Sequence, residues 1–219
     1  ANITSVVPAS GQIGTVVTIN GESLLGGADE LDTLEIGDLT VSDIELANDI
    51  MVVGVVGNGT AGTVDVVVTA STGAQVTETN AFTYLAIGVI DSITPNSGQQ
   101  GSQVTIAGER MLGGGDSVAS LTLAGLGVVR VVSSSDTSIV AIASVSNAAV
   151  TGDIELVSNT GAIVSLSGAW EYITLGNITA VTPATGQEGT EIMITGTNLL
   201  GGYSDAVRVA IAGVPAEVT

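Results

Sequence analysis

A twelve-residue segment returns three times along the chain, and it constrains the fold more than any other feature. It reads Ile3-Thr4-Ser5-Val6-Val7-Pro8-Ala9-Ser10-Gly11-Gln12-Ile13-Gly14, then Ile90-Asp91-Ser92-Ile93-Thr94-Pro95-Asn96-Ser97-Gly98-Gln99-Gln100-Gly101, then Ile178-Thr179-Ala180-Val181-Thr182-Pro183-Ala184-Thr185-Gly186-Gln187-Glu188-Gly189. Each copy continues into an alternating run that ends in glycine: Val17-Thr18-Ile19-Asn20-Gly21, Val104-Thr105-Ile106-Ala107-Gly108 and Ile192-Met193-Ile194-Thr195-Gly196. A second glycine-rich stretch follows at Leu24-Leu25-Gly26-Gly27, Met111-Leu112-Gly113-Gly114 and Leu199-Leu200-Gly201-Gly202. Phe82-Thr83-Tyr84 and Trp170-Glu171-Tyr172 close the first two copies. A period near ninety residues is a domain length, so the chain reads as modules in series at 1–86, 87–174 and 175–219.

Within each module apolar and polar residues alternate over short runs, as in Val64-Asp65-Val66-Val67-Val68 and Ile154-Glu155-Leu156, with turn residues between them. The repeated proline ends a first strand, and the glycines after it predict a turn into the second; the glycine closing each alternating run is likewise assigned to a shared turn. About seven strands per module, turning every ten residues or so, predict an immunoglobulin-like β-sandwich, all-β and without long helices. The junctions at 85–89 and 173–177 are very short, which predicts modules held end to end in a restricted orientation. The third copy stops at Thr219, about halfway through a module. That is read as an excerpt from a longer array, with completion by strands of a neighbouring subunit as the alternative.

These motifs resemble the opening half of IPT/TIG domains, immunoglobulin-like modules of plexins and related receptors, some transcription factors and many surface proteins. The resemblance spans two modules and the start of a third. It implies the sandwich fold and implies no catalytic residue, because members serve as spacers, binding modules or dimerisation units.

Composition narrows the function. Three cations (Arg110, Arg130 and Arg208) stand against 22 acidic residues, for a net charge of −19. That leaves no clustered positive charge for nucleic acid or anionic lipid. The chain has no Cys and no His, which removes thiol nucleophiles, imidazole bases and Cys/His zinc sites. The mean hydropathy of +0.57 reflects buried strands, since no apolar run approaches the length of a membrane-spanning helix. Ala1 opens directly on a strand-like pattern, read as a mature terminus after signal-peptide removal or as an internal start.

Candidate sites are few. Three N-glycosylation sequons begin at Asn2, Asn58 and Asn177, and the tract Ser133-Ser134-Ser135-Asp136-Thr137-Ser138 is a polar loop with room for O-glycans. Asp29, Glu30, Asp32, Glu35 and Asp38 crowd the first module, with Asp116 and Asp205 after the matching loops. They lack an Asp-x-Asp-x-Asp-Gly spacing and read as a solvated acidic face rather than a calcium site. A glycosidase needs only carboxylates but binds sugar on aromatic platforms. Here Phe82, Tyr84, Trp170 and Tyr172 fall at equivalent module ends and read as core plugs.

The sequence therefore predicts a non-catalytic structural subunit of an extracellular or cell-surface fibril, stalk or appendage. It is acidic, glycosylated, free of cofactors and metals, and self-associating end to end or continued by further repeats. The alternatives are an adhesin or receptor ectodomain that binds a protein or glycan through its loops, and a spacer in a larger secreted enzyme.

Overall fold

The computed structural model describes residues 1–206 and 208–218, among which strands and turns make up the whole fold and no helix forms. The first module contains β1 (Asn2–Val7), β2 (Ser10–Gly11), β3 (Val16–Glu22), β4 (Leu31–Ile36), β5 (Leu39–Thr40), β6 (Asp43–Ala47), β7 (Met51–Val55), β8 (Gly62–Ala70) and β9 (Gln75–Tyr84). They form two sheets, ordered β1-β3-β7-β6 and β2-β9-β8-β4-β5. The second module repeats the set as β10 (Val89–Thr94), β11 (Ser97–Gly98), β12 (Gln103–Glu109), β13 (Val118–Leu123), β14 (Leu126–Gly127), β15 (Arg130–Ser134), β16 (Ser138–Ile142), β17 (Val150–Ser158) and β18 (Ile163–Tyr172). Its sheets run β10-β12-β16-β15 and β11-β18-β17-β13-β14, the same order strand for strand. The sequence repeat is therefore a repeat of topology.

Alternation decides which residues fill each sandwich. Val17 and Ile19 on β3, Val52 on β7, Leu34 and Ile36 on β4 and Val66 and Val68 on β8 are fully buried, while Thr18, Val53, Glu35 and Val67 alternating with them are only half-buried. Val104, Ile106, Leu121, Leu123, Ile139, Ile154 and Leu156 build the second core in the same way. Each large side chain so buried contributes roughly 1.5–3 kcal/mol. One aromatic pair plugs each core: Phe82 meets Tyr84 edge to face at 5.2 Å, and Trp170 meets Tyr172 at 5.4 Å. The Tyr84 hydroxyl donates to the Ile36 carbonyl at 3.2 Å, and burial pushes its phenol above the ordinary value of 10.0. A raised folded-state value means that this contribution to stability is complete below pH 10 and is lost as pH climbs through the folded value. Tyr84→Phe should remove that alkaline component, read as a flatter dependence of melting temperature on pH above about 10.

Two local assignments differ from the sequence reading. The motif glycines Gly21, Gly108 and Gly196 lie inside strands rather than in turns, paired with Ile3, Ile90 and Ile178 where the partner strand bulges. A Cβ on Gly21, Gly108 or Gly196 would run into the carbonyl oxygen of Asn2, Val89 or Asn177 respectively. What the position requires is close backbone approach at a bulge. The stretch after the proline does not turn directly into the second strand of the same sheet. In modules one and two it crosses to the other sheet, where Ser10–Gly11 and Ser97–Gly98 pair in parallel with β9 and β18.

The third module holds β19 (Asn177–Thr182) paired with β20 (Met193–Thr197), and β21 (Val209–Ile211) paired with β22 (Val214–Ala216). Ile178 is 58% exposed, against 5% for Ile3 at the same place in module one.

Candidate functional site: the junction between modules

The most built-up polar arrangement lies where one module meets the next. In module one, residues 11–15 form a tight loop. Its Gln12 N–H donates to Thr15 Oγ1 at 3.1 Å, and the Thr15 N–H donates back to the Gln12 carbonyl at 3.0 Å. The Gly14 N–H donates to the Val56 carbonyl, fixing the loop to the end of β7, and Gly14 sits at φ 88°. The loop buries Gln12, which is 1% exposed.

A buried primary amide must find partners at both ends. Gln12 finds them in the second module. Its Oε1 accepts from the Gly88 N–H at 2.7 Å, and its Nε2 donates to the Ile163 carbonyl at 3.4 Å. The backbone joins in, with the Val16 N–H donating to the Thr160 carbonyl and the Ile163 N–H to the Ile13 carbonyl. The receiving surface is made of two loops of module two, 110–115 and 158–162. Small residues let them approach: a Cβ on Gly113 would strike Gln12 and Ala162, and one on Gly161 would strike the Gly14 carbonyl oxygen. Leu85, at the end of module one, covers Gly114.

The second junction reuses the parts. Oε1 of Gln99 accepts from the Gly176 N–H at 2.8 Å, Gly201 lies against the Gln99 side chain, and Gly202 against Ile173. The Tyr203 hydroxyl reaches the Gln103 carbonyl at 3.5 Å. Two successive junctions thus share a glutamine latch, an N–H at the start of the following module and a Gly-Gly loop.

An aspartate sets that loop in place. The Asp136 carboxylate accepts from the Leu112 N–H at 2.9 Å while its carbonyl accepts from Met111, and Asp49 does the same for Leu25 and Leu24. Asp136→Ala should therefore cost about 1–2 kcal/mol in module two by leaving the Leu112 N–H unpartnered. Asp136→Asn should recover most of it, since one acceptor oxygen remains. Urea unfolding of the two variants checks the difference, and equal losses would contradict the loop assignment.

The residues singled out from sequence lie elsewhere. Asn2, Asn58 and Asn177 are all exposed: Asn2 and Asn177 open β1 and β19, and Asn58 lies in the loop after β7 beside Gly59, which packs against the Tyr84 ring. The structure does not bring them together. Asp29, Glu30, Asp32, Asp38, Asp116 and Asp205 are exposed and Glu35 half-buried, and among the described residues no group of three or more carboxylates gathers at metal-binding spacing. The serine tract is the β15–β16 turn, where Ser135 Oγ accepts from the Ser138 N–H at 3.1 Å. Two open surface depressions lie on module two, one lined by Thr122, Gly125, Gly152, Asp153 and Glu155, the other between β13 and β15. Sequence reasoning gave Gln12 and Gln99 no role, although a glutamine at the same place in all three repeats was the available signal.

A family model described as IPT/TIG domain matches residues 1–84, 89–172 and 177–219. Among solved structures, the full extracellular region of plexin A4, domains 1 to 10, is similar with a TM-score of 0.56 at 20% identity. The match covers 91% of this chain and 18% of that one, so the chain spans under a fifth of its length. An SGBP-B from a complex xyloglucan utilization locus in Bacteroides uniformis aligns with a TM-score of 0.33 and 16% identity, over 77% of this chain and 49% of that one. No curated protein matches.

Proposed function

Since this chain belongs to the IPT/TIG domain family, we propose that it is a structural subunit of an extracellular fibril, stalk or surface appendage, non-catalytic and acidic, carrying N-glycans on one or more of Asn2, Asn58 and Asn177. The observation behind this reading is the repeated junction. A linker alone would leave modules to pivot, whereas the buried Gln12 latch with backbone pairing at the first boundary, and the half-buried Gln99 latch at the second, favour one orientation. Repetition of one geometry propagates an axis, which is what a spacer or fibre requires. The charge fits the same role, because a net −19 keeps apolar-rich β modules from clumping side to side. With only three Lys and Arg residues the chain also offers trypsin-like proteases few cleavage sites.

Electron microscopy of the native material tests the proposal. It should show extended filaments or stalks with an axial period on the order of 40 Å, one sandwich length at about 3.3 Å per strand residue. A compact native particle would replace the structural reading with that of a receptor or adhesin. Mass spectrometry of the native peptides tests the glycan part, which would be withdrawn if all three asparagines were bare.

A further inference from the structure

The dipeptide Asn-Gly occurs twice in the chain, at Asn20-Gly21 and Asn58-Gly59. It is a reactive pair, because glycine leaves its own backbone nitrogen unshielded beside the asparagine amide and lets the backbone turn until the two meet. Sequence alone gives both copies the same standing. The fold separates them.

Asn20 and Gly21 lie inside β3, between β1 and β7. The Asn20 side chain is half-buried, and its Nδ2 donates to Ser5 Oγ at 3.1 Å. The Gly21 N–H donates to the Ile50 carbonyl at 3.0 Å, and the Asn2 carbonyl oxygen and the Leu24 side chain crowd the Gly21 Cα. Closing a ring between amide and backbone here requires the strand to leave its neighbours, so it happens only from locally opened states.

Asn58 and Gly59 lie in the loop between β7 and β8. Asn58 is exposed, and among the described residues its side-chain amide makes no hydrogen bond to the protein. The Gly59 N–H makes one contact, to the Gly57 carbonyl two residues back at 3.1 Å, a three-residue turn outside any ladder. Packing also fixes which residue follows the asparagine, since a Cβ on Gly59 would run into the Tyr84 ring. The aromatic plug of module one thus imposes, at an exposed asparagine, the neighbour that leaves it most reactive.

We propose that Asn58 is a site of spontaneous deamidation and that Asn20 is protected from it. The Gly59 nitrogen, giving its proton to hydroxide, attacks the Asn58 Cγ; the side-chain nitrogen leaves as ammonia and a succinimide ring remains. Water then opens the ring. Hydrolysis at the Cγ carbonyl gives aspartate on the original backbone, and hydrolysis at the main-chain carbonyl gives isoaspartate, with the chain rerouted through Cβ and Cγ. Water is the only reactant consumed, and no electrons are exchanged. Each event adds one negative charge to the net −19. The isoaspartyl form also lengthens the main chain shortly after Val56, which is bonded through its N–H to Thr15 and through its carbonyl to Gly14 of the Gln12 loop. An N-glycan on Asn58 occupies the nitrogen that must leave, so the reaction belongs to copies without one. It does not depend on the fibril reading.

The 219-residue chain, made in a host that attaches no glycans and incubated at mildly alkaline pH with and without denaturant, tests the assignment. Peptide mass spectrometry reads the gain of one mass unit at each pair, and methyl transfer by an isoaspartyl methyltransferase counts the isoaspartate. In the folded chain Asn58 is expected to convert at least about tenfold faster than Asn20. In denaturant, where neither glycine nitrogen is held, the two should convert at similar rates. Asn58→Gln, at an exposed position where folding is not at stake, should abolish the loop signal. Asn58 staying intact in the folded chain while the denatured chain converts it would overturn the proposal, as would Asn20 keeping pace with Asn58 in the folded chain. A preference for Asn58 that persists undiminished in denaturant would overturn it too, since the fold would then not be its cause.

Discussion

Replacing Gly108 by alanine is expected to destabilise the second module by roughly 3 kcal/mol or more, a single methyl group acting through backbone atoms alone. Gly108 pairs with Ile90 beside the bulge that shifts the β10–β12 register between Ile90 and Ser92. The added Cβ would overlap the Val89 carbonyl oxygen, with the Ile90 Cα at 3.1 Å and the Met111 sulfur at 3.0 Å. The sulfur can move, but the backbone atoms cannot without opening the ladder that orders the first strand of the sheet. Alanine elsewhere in a strand would gain from reduced unfolded-state entropy, so the sign at this site isolates the steric term. For a domain near ninety residues, calorimetry should show the module-two transition falling by more than about 12 °C. A shift of under about 2 °C would mean that the bulge relaxes freely and that the repeated glycine has another cause.

The second large effect lies in the aromatic plug. Trp170 is fully buried against Tyr172 and its indole N–H has no hydrogen-bond partner, the only side-chain group so placed among the described residues. Trp170→Ala should cost about 3–5 kcal/mol through lost contacts and the cavity left behind. Trp170→Phe removes ring volume but also removes a donor whose burial without a partner costs about 1–3 kcal/mol. The two terms oppose, and the net change is expected to stay within about 1 kcal/mol. Module one already holds this solution, with Phe82 on Tyr84 in nearly the same edge-to-face geometry. Denaturant unfolding of both variants checks the contrast. A Trp170→Phe protein as unstable as Trp170→Ala would show that the indole edge is essential to the packing.

Much of this architecture was legible in the sequence because it is written in local patterns. Period-two alternation placed the strands, the threefold repeat placed the modules, and the matching aromatics at 82, 84, 170 and 172 read as core plugs, where burial puts them. What escaped was set by partners distant in sequence. Gly21, Gly108 and Gly196 look like turn residues, since glycine after an alternating run usually ends a strand; their reason is a carbonyl on the opposing strand. Ser10–Gly11 and Ser97–Gly98 are too short to show a period, and their parallel pairing depends on strands more than seventy residues away. The latch was hidden for a similar reason. A glutamine in a polar loop reads as solvated until the next module covers it, and only then is its amide a buried group with both ends used. The sequons and acidic residues stood out by contrast, yet the fold leaves them largely on the surface and, among the described residues, gathers no three carboxylates at metal-binding spacing.

The central claim is that successive modules are locked in one orientation by the glutamine junction. Cysteine is absent from the chain, so spin labels can be placed at will, and Asp43 and Arg130 are exposed, equivalent positions on β6 and β15 of the first two modules. Electron–electron double resonance on the Asp43→Cys, Arg130→Cys protein should give a single narrow distance distribution. Adding Gln12→Ala, which leaves the Gly88 N–H without its acceptor, should broaden that distribution while both modules stay folded. A broad or multimodal distribution in the protein with Gln12 intact would contradict the account, because the modules would then be beads on a flexible string.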